Sequence, residues 1–409
     1  MTRLMRQKHG WKRGAMTFPE RFERLPEYPF ARLRALLDAH EPGAAPISMS
    51  IGEPTHPFPA FVPEVLAGAA AGFGRYPPNE GTPELRRAIA GWLARRYGAT
   101  LDPEHQITAL NGTREGLFVA GLALCPEARD GAPPKVLLPN PFYQVYAAAA
   151  LAAGAEPVPV PATAATGFLP DYAALGPAAL DRVALVYACS PSNPQGAVAT
   201  TAWWQGLFEL AERHDFIVLA DECYSEIYPH TPPPGAFEAL AGAGADPARL
   251  VVFNSLSKRS NLPGLRAGFA AGAPAAIARI KALRAYGGAP CPLPLQAVAA
   301  RAWADEGHVA ENRALYRAKY ALADEILGGL AGYTPPEAGF FLWIGVEDGA
   351  AAALRLWREA GIRVLPGAYL GRSVNGENPG AGYIRVALVP DEATLRAGLE
   401  RLRRVLERG

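Results

Sequence analysis

Residues 250–269 read LVVFNSLSKRSNLPGLRAGF: four apolar β-favouring residues, Leu250 to Phe253, a break at Asn254-Ser255, and a small polar loop presenting Lys258. An apolar run resumes at Leu265-Arg266-Ala267-Gly268-Phe269. A lysine held between two strands is an odd choice for structure, because desolvating an ammonium is costly unless something uses it. One use is a Schiff base, in which Lys258 condenses with an aldehyde cofactor. Ser255, Ser257 and Arg266 add two hydroxyls and a guanidinium, a set suited to a phosphate. Taken alone, the same spacing also fits an exposed loop with a solvated Lys-Arg pair.

The surrounding chain narrows the choice. Its 409 residues leave room for two domains with ample core. Hydrophobic residues make up 50% and charged residues 19%, as in an ordinary globular protein, and a net charge of +1 leaves no electrostatic footprint for nucleic acid or an anionic membrane. Cys125, Cys189, Cys223 and Cys291 are scattered without a C-x-x-C. That pattern builds neither a recognisable zinc site nor a disulfide framework, and predicts free thiols in a reducing cytoplasm. The run AAAALAAGA, from Ala147 to Ala155, is too short to span a membrane. Arg3, Arg6, Lys8, Lys12 and Arg13, with no acidic neighbour and no apolar signal core, predict a disordered basic tail over residues 1–16.

Outward from residues 250–269, apolar runs alternate with helical stretches. Ile107–Leu110 meets Asn111-Gly112-Thr113-Arg114, and Glu115–Leu124 reads as a helix. That order favours an anion through free N–H groups and the helix dipole, although Gly112 could simply be making a turn. Val136–Leu138 leads to PNPFYQVY with Tyr143, and Val183–Tyr187 leads to CSPSNPQG with Asn193. Phe216–Ala220 closes on DECY, with Asp221 and Tyr224. The alternation predicts an α/β fold with a mostly parallel sheet between helices. The polar residues fall at carboxyl ends of strands, where open α/β sheets bind ligands. From about Pro290, charged helices, a turn then a strand within 333–345, and strands at 362–365 and 383–388 predict a smaller α+β unit. The expected division is an N-terminal segment, 17–60, joining the small domain, a large domain at 61–290, and the small domain proper at 291–409.

Asp221, Tyr224, Asn193 and Lys258, on neighbouring strand ends, make the kit that pyridoxal 5'-phosphate needs. A carboxylate must keep the ring nitrogen protonated, donors such as Asn193 and Tyr224 must steady the phenolic oxygen, and an aromatic such as Tyr143 must cover the ring. Gly112 to Arg114, with Ser255, Ser257 and Arg266, would supply the phosphate's donors and cation.

SLSKRSNLPGLRAG, SNPQG, DECY and the IRVAL strand are similar to segments of fold type I pyridoxal-phosphate enzymes of the class I and II aminotransferase family. The resemblance runs from about Pro26 to the C-terminus. It implies Lys258 as the Schiff-base lysine, Asp221 as the partner of the ring nitrogen, and Asn193 and Tyr224 on the phenolic oxygen. It further implies Tyr143 stacked on the ring, and Thr113, Arg114, Ser255, Ser257 and Arg266 on the phosphate. Arg385 resembles the arginine that clamps the substrate α-carboxylate, a task its planar fork suits. Gly52 resembles the loop glycine that closes over substrate. Tyr76, in RYPPNEG, resembles the tyrosine that reaches the phosphate of a neighbouring subunit, which implies a homodimer with shared active sites. The predicted reaction is transamination with Lys258 as general base, amino acids and 2-oxo acids as substrates, and ping-pong kinetics.

Each residue also has a plainer reading: an edge-strand arginine at Arg385, core packing at Tyr143, a surface aromatic at Tyr76, a turn at Gly52. His56, His214 and His308 lack metal-ligand spacing and read as structural, as do Glu53 and Glu222. LPEYPFARLRALL together with SLSKRSNLPGLRAGF is most similar to N-succinyldiaminopimelate aminotransferases of the bacterial lysine pathway, which pair with 2-oxoglutarate and glutamate. The succinyl carboxylate would need a second anchor, for which Arg34, Arg259 and Asn261 are candidates that spacing does not separate. Aminotransferases of aspartate, alanine or aromatic amino acids, and C–S β-lyases, share the same kit. A non-catalytic regulator module would need a helix-turn-helix domain and linker before the fold, where only the short basic tail stands.

Overall fold

The computed structural model describes residues 18–408, so the stretch expected to be a basic tail lies outside the described residues. Seven strands form the principal sheet: β1 (Ile107–Leu110), β2 (Lys135–Asn140), β3 (Glu156–Pro161), β4 (Val183–Cys189), β5 (Ile217–Asp221), β6 (Leu250–Ser255) and β7 (Gly268–Gly272). Their spatial order is β1-β7-β6-β5-β4-β2-β3. From β6 through β3 every pairing is parallel, whereas β7 runs antiparallel to both its neighbours. The reason is local. Residues 256–267, between β6 and β7, hold only a four-residue helix (Leu256–Arg259) and a 3-10 turn, and a parallel return requires a full crossover.

Strands β4 and β6 are buried along their whole length, which their near-continuous Val, Leu, Ala and Phe composition allows. One face is covered by a core containing Trp92, Trp204, Phe216 and Trp303, the other by a core containing Leu117, Tyr146, Phe253 and Ile277. Strand β3, sequence EPVPVP, carries a proline at every second position and escapes prediction. It lies at the sheet edge and pairs only with β2. The N–H groups of Glu156 and Ala162 donate to the carbonyls of Pro134 and Asn140, each at 2.9 Å. That parity turns the proline nitrogens outward, where no donor is needed.

A second unit carries the antiparallel sheet β9-β10-β8, made of β8 (Phe341–Gly345), β9 (Leu365–Pro366) and β10 (Tyr383–Ala387). The helices Gly307–Leu327, Gly349–Ala360 and Glu392–Leu406 accompany it, and its core includes Tyr316, Phe340, Ile344, Leu356 and Leu399. The N-terminal segment packs here: Leu33 and Leu37 meet Trp357 and Leu365, and Ile47–Ser48 pairs in parallel with Ile362–Arg363. Helix Leu293–Ala304 behaves differently. Its Val298, Ala299 and Trp303 join the core around Trp92, so the large unit's core extends past residue 290. Among the described residues no helix is long and apolar enough to cross a membrane.

Candidate active site

A cavity of about 290 Å³ opens at the carboxyl ends of β4, β5 and β6, between the two units. Its walls include Gly52, Thr113, Arg114, Tyr143, Asn193, Asp221, Tyr224, Ser255, Ser257, Lys258, Arg266 and Arg385. Parallel pairing explains much of this convergence: Cys189 at the end of β4 is in register with Asp221, and Asp221 with Phe253 of β6.

Lys258 projects from the short helix that follows β6. Its Nζ donates to the Gly52 carbonyl and lies 5.1 Å from the centroid of the Phe340 ring. Burial lowers its pKa from 10.5 to about 8, which makes the neutral, nucleophilic amine accessible near physiological pH. Asp221 is 6% exposed. Its Oδ2 accepts from the Tyr146 hydroxyl at 2.7 Å and its Oδ1 from the Cys223 N–H at 3.3 Å. Burial raises its pKa and these two bonds oppose the rise, so a cation placed beside it in the cavity would hold it ionised. Tyr146 was missed by sequence reasoning; only its place three residues after Tyr143 in PNPFYQVY hinted at it. It stacks on Tyr187 at 4.6 Å, which orients its hydroxyl.

Arg385, on β10, is 4% exposed. It donates through Nη1 to Asn193 Oδ1 (3.0 Å) and through Nη2 to the Ser50 carbonyl (2.8 Å), neither of them a carboxylate. Its Nε has no partner among the described residues, and burial lowers its pKa to about 10. A buried cation without a counter-charge is an anion site in waiting. Its guanidinium also lies 4.0 Å from the centroid of the Phe341 ring. Gly52 sits against the same aromatic pair: a Cβ there would come within 2.4 Å of Phe341 Cζ, so a side chain does not fit. The ring of Tyr224 packs on Phe340 and Phe341 at 5.3 and 5.9 Å.

A polar cradle forms the other end. Gly112, with φ +81°, caps helix Thr113–Leu124 without a side chain, so first-turn N–H groups stay free. A Cβ at Gly112 would lie 2.2 Å from Nη2 of Arg266. Arg266 is held by the Pro263 carbonyl at 3.1 Å. The hydroxyls of Ser255 and Ser257 are 2.9 Å apart, and Thr113 Oγ1 lies 3.2 Å from Cys223 Sγ. Tyr143 accepts from Arg114 Nε at 2.7 Å, which fixes its ring at the cavity wall. Amine, carboxylate, polar cradle and a guanidinium without a carboxylate partner together suit a phosphorylated aldehyde with a basic ring nitrogen, and beside it a carboxylate substrate.

Other sequence candidates lie elsewhere. Arg259 lies against the packed pair Trp92 and Trp303 and is bound to the Ala302 carbonyl (2.8 Å) and Glu306 (2.9 Å), so it cannot anchor a substrate. Asn261 is buried against Asn312 at 2.8 Å, and Arg34 is exposed on helix Pro29–Leu37 outside the cavity. Tyr76 is fully exposed and outside the cavity of its own chain. His214 and His308 bind Asp181 (2.8 Å) and Asp305 (2.7 Å), and Glu222 accepts from the Ala236 N–H at 2.7 Å. Among the described residues no group of three His, Cys, Asp or Glu side chains could hold a metal ion.

The sequence profile of the family described as Aminotransferase class I and II matches residues 45–402. The chain is 36% identical over 397 residues to the LL-diaminopimelate aminotransferase of Moorella thermoacetica, covering 94% of this chain and 97% of that protein. An aminotransferase structure from Neisseria meningitidis superposes with a TM-score of 0.89 at 38% identity, covering 93% of this chain and 98% of that one. A probable N-succinyldiaminopimelate aminotransferase from Thermus thermophilus superposes with a TM-score of 0.82 at 27% identity, covering 92% and 100%. A cavity that gathers a lysine of lowered pKa, a buried aspartate and a polar cradle, on a chain matched along nearly its whole length, thus belongs to a member of the class I and II aminotransferase family, a pyridoxal-phosphate-dependent transaminase of amino acids and 2-oxo acids.

Proposed function

We propose that Lys258 is the residue to which the cofactor is covalently attached and the base that moves the substrate's α-proton. The observation that carries this reading is a lysine with pKa about 8 facing the same cavity as a buried aspartate and a buried arginine that lacks a carboxylate partner. Bound pyridoxal phosphate supplies an electron sink for the charge released at the α-carbon. Asp221, held by Tyr146, would keep a positive ring nitrogen paired. Asn193 and Tyr224 would steady the phenolic oxygen, and Tyr143, fixed by Arg114, would cover the ring. Thr113, Arg114, Ser255, Ser257 and Arg266, with the close backbone of Gly112, would hold the phosphate. Arg385 grips the α-carboxylate with its fork, and the Gly52 loop excludes water above it. Freed when the substrate's amino group takes its place on the cofactor, the Lys258 amine would take the α-proton at Nζ and later return it.

For the amino donor we favour N-succinyl-LL-diaminopimelate, with 2-oxoglutarate and glutamate as the second pair, in bacterial lysine biosynthesis. The likeness to the Thermus thermophilus protein supports it. The name of the Moorella thermoacetica relative favours a second reading, unacylated LL-diaminopimelate. Both compounds carry a polar group far from the reacting carbon, and Tyr28, Phe30, Arg114 and Gln144 stand at the cavity wall to meet one. We also propose a homodimer with shared sites in which Tyr76 reaches the partner's phosphate. Full exposure of Tyr76 beside the exposed Phe73 supports this. Separate cores support a large and a small domain, with the 17–60 segment contributing to the small one. Four free thiols support a cytoplasmic setting.

A half-reaction screen tests the proposal. Holoenzyme is mixed with glutamate, aspartate, alanine, aromatic amino acids, LL-diaminopimelate and its N-succinyl derivative while the cofactor's visible absorption is followed. The succinylated donor is expected to bleach the band fastest; no response to it, with a strong response to another donor, refutes the substrate. Borohydride should trap the cofactor on Lys258, and turnover by Lys258→Ala would refute the lysine's role.

A further inference from the structure

Asn312 lies on helix Gly307–Leu327 of the small unit, is 5% exposed, and makes no contact with the cavity. All four hydrogen-bonding valences of its carboxamide are nevertheless spent on segments that line it. Nδ2 donates to the carbonyls of Lys258 (3.2 Å) and Arg259 (3.3 Å), the last turn of the short lysine helix. Oδ1 accepts from Asn261 Nδ2 (2.8 Å) and pairs with His56 Nδ1 (2.9 Å). An acceptor at Oδ1 requires the His56 N–H to sit on Nδ1, which leaves Nε2 as a bare lone pair. That atom is buried and unpartnered among the described residues. His56 closes the segment that begins at Gly52, and the Gly52 carbonyl accepts from Lys258 Nζ. The loop therefore touches this lysine twice, directly at its amine and through Asn312 at its backbone.

We infer that Asn312 is a positioning residue, a pin that fixes the main chain of Lys258 and couples it to the Gly52–His56 loop. The inference rests on Lys258 being the reacting amine. A carboxamide suits the task because it presents donor and acceptor in one plane, and the small unit carries it as a rigid part of a 21-residue helix. When the loop shifts to admit or release substrate, the His56 arm pulls on the same group that holds the lysine helix. The amine and the loop then move together.

Asn312→Ala, His56→Ala and the double variant test this in the holoenzyme. The readouts are kcat, KM for the amino donor, the melting midpoint, and the pH titration of the visible band of the lysine–cofactor linkage. Asn312→Ala should shift that titration by about half a pH unit or more and lower kcat on the order of tenfold. His56→Ala should raise KM severalfold and leave the titration in place. In the double variant the losses should fall short of the product of the single losses, because the two residues share one network. A folded Asn312→Ala enzyme with wild-type titration and kcat within about twofold would overturn the inference, as would strictly multiplicative losses. Should Asn312→Ala fail to fold, Asn312→Asp, isosteric but without the donor arm, answers the same question. Failure of borohydride to label Lys258 would instead overturn the lysine assignment.

Discussion

Arg385→Gln separates a charge kept for function from one kept for structure. Burial lowers the arginine pKa from 12.5 to about 10, a bias of about 3 kcal/mol against the charged form. Glutamine removes that unfavourable charge. It can keep one of the two hydrogen bonds, to Asn193 or to the Ser50 carbonyl, while the other, worth about 1.5–3 kcal/mol, is lost. The two effects nearly cancel, so the cofactor-free variant should melt within about 3 °C of wild type. Activity has no such compensation. A guanidinium fork on the substrate carboxylate contributes two charge-assisted bonds of about 1.5–3 kcal/mol each, so kcat/KM should fall by about 10²–10⁴. Discrimination between an amino acid and the corresponding decarboxylated amine should shrink by a similar factor. Differential scanning fluorimetry and stopped-flow half-reactions measure both. A melting midpoint lower by 10 °C or more would show a structural arginine. Unchanged stability with kcat/KM reduced less than about fivefold would show that the carboxylate binds elsewhere.

Tyr146→Phe removes the 2.7 Å bond to Asp221 and should lower kcat by about ten- to a hundredfold, with little change in melting; undiminished kcat would refute its role. Gly112→Ala places a Cβ 2.2 Å from Arg266 in a residue at φ +81°, and should weaken cofactor binding by at least about tenfold. Equilibrium dialysis checks this, and an unchanged dissociation constant would sink the cradle. In the cofactor-free protein, Lys258 has a folded pKa of about 8 against 10.5. The unfolded chain therefore holds the extra proton between those values, and stability attributable to this site rises with pH across that window. Relative to Lys258→Met, wild type should gain up to about 2 kcal/mol between pH 8 and 10, and a flat difference curve would refute the depressed pKa.

The ends of β4, β5 and β6 were legible because each apolar run stops at a polar break, CSPSNPQG, DECY and Asn254-Ser255, and chemistry-bearing residues stand at those breaks. Neighbouring placement of Asn193, Asp221 and Lys258 followed from the βαβ alternation, since consecutive parallel strands lie side by side. Strand β3 was not legible. Alternating prolines read as a breaker until pairing shows them on the outward side of an edge. The packing of Leu293–Ala304 on the large core was equally hidden, because its apolar face does not say which sheet it will meet.

The amino-acid order by itself determined which residues had chemistry to offer: the lysine after an apolar strand, the aspartate at the end of another, the glycine before a helix, and the arginine on a late strand. Tertiary packing alone decided which of them meet and which neighbours serve them. Arg259, next to Lys258 in sequence, is drawn onto a packed pair of tryptophans. Tyr146 and Asn312, 75 and 54 residues from the groups they hold, become the supports of Asp221 and Lys258. Local pattern reports what a residue prefers over one or two turns of chain. Hydrogen bonds across such separations exist only once distant elements have packed together and excluded the water that would otherwise satisfy those groups.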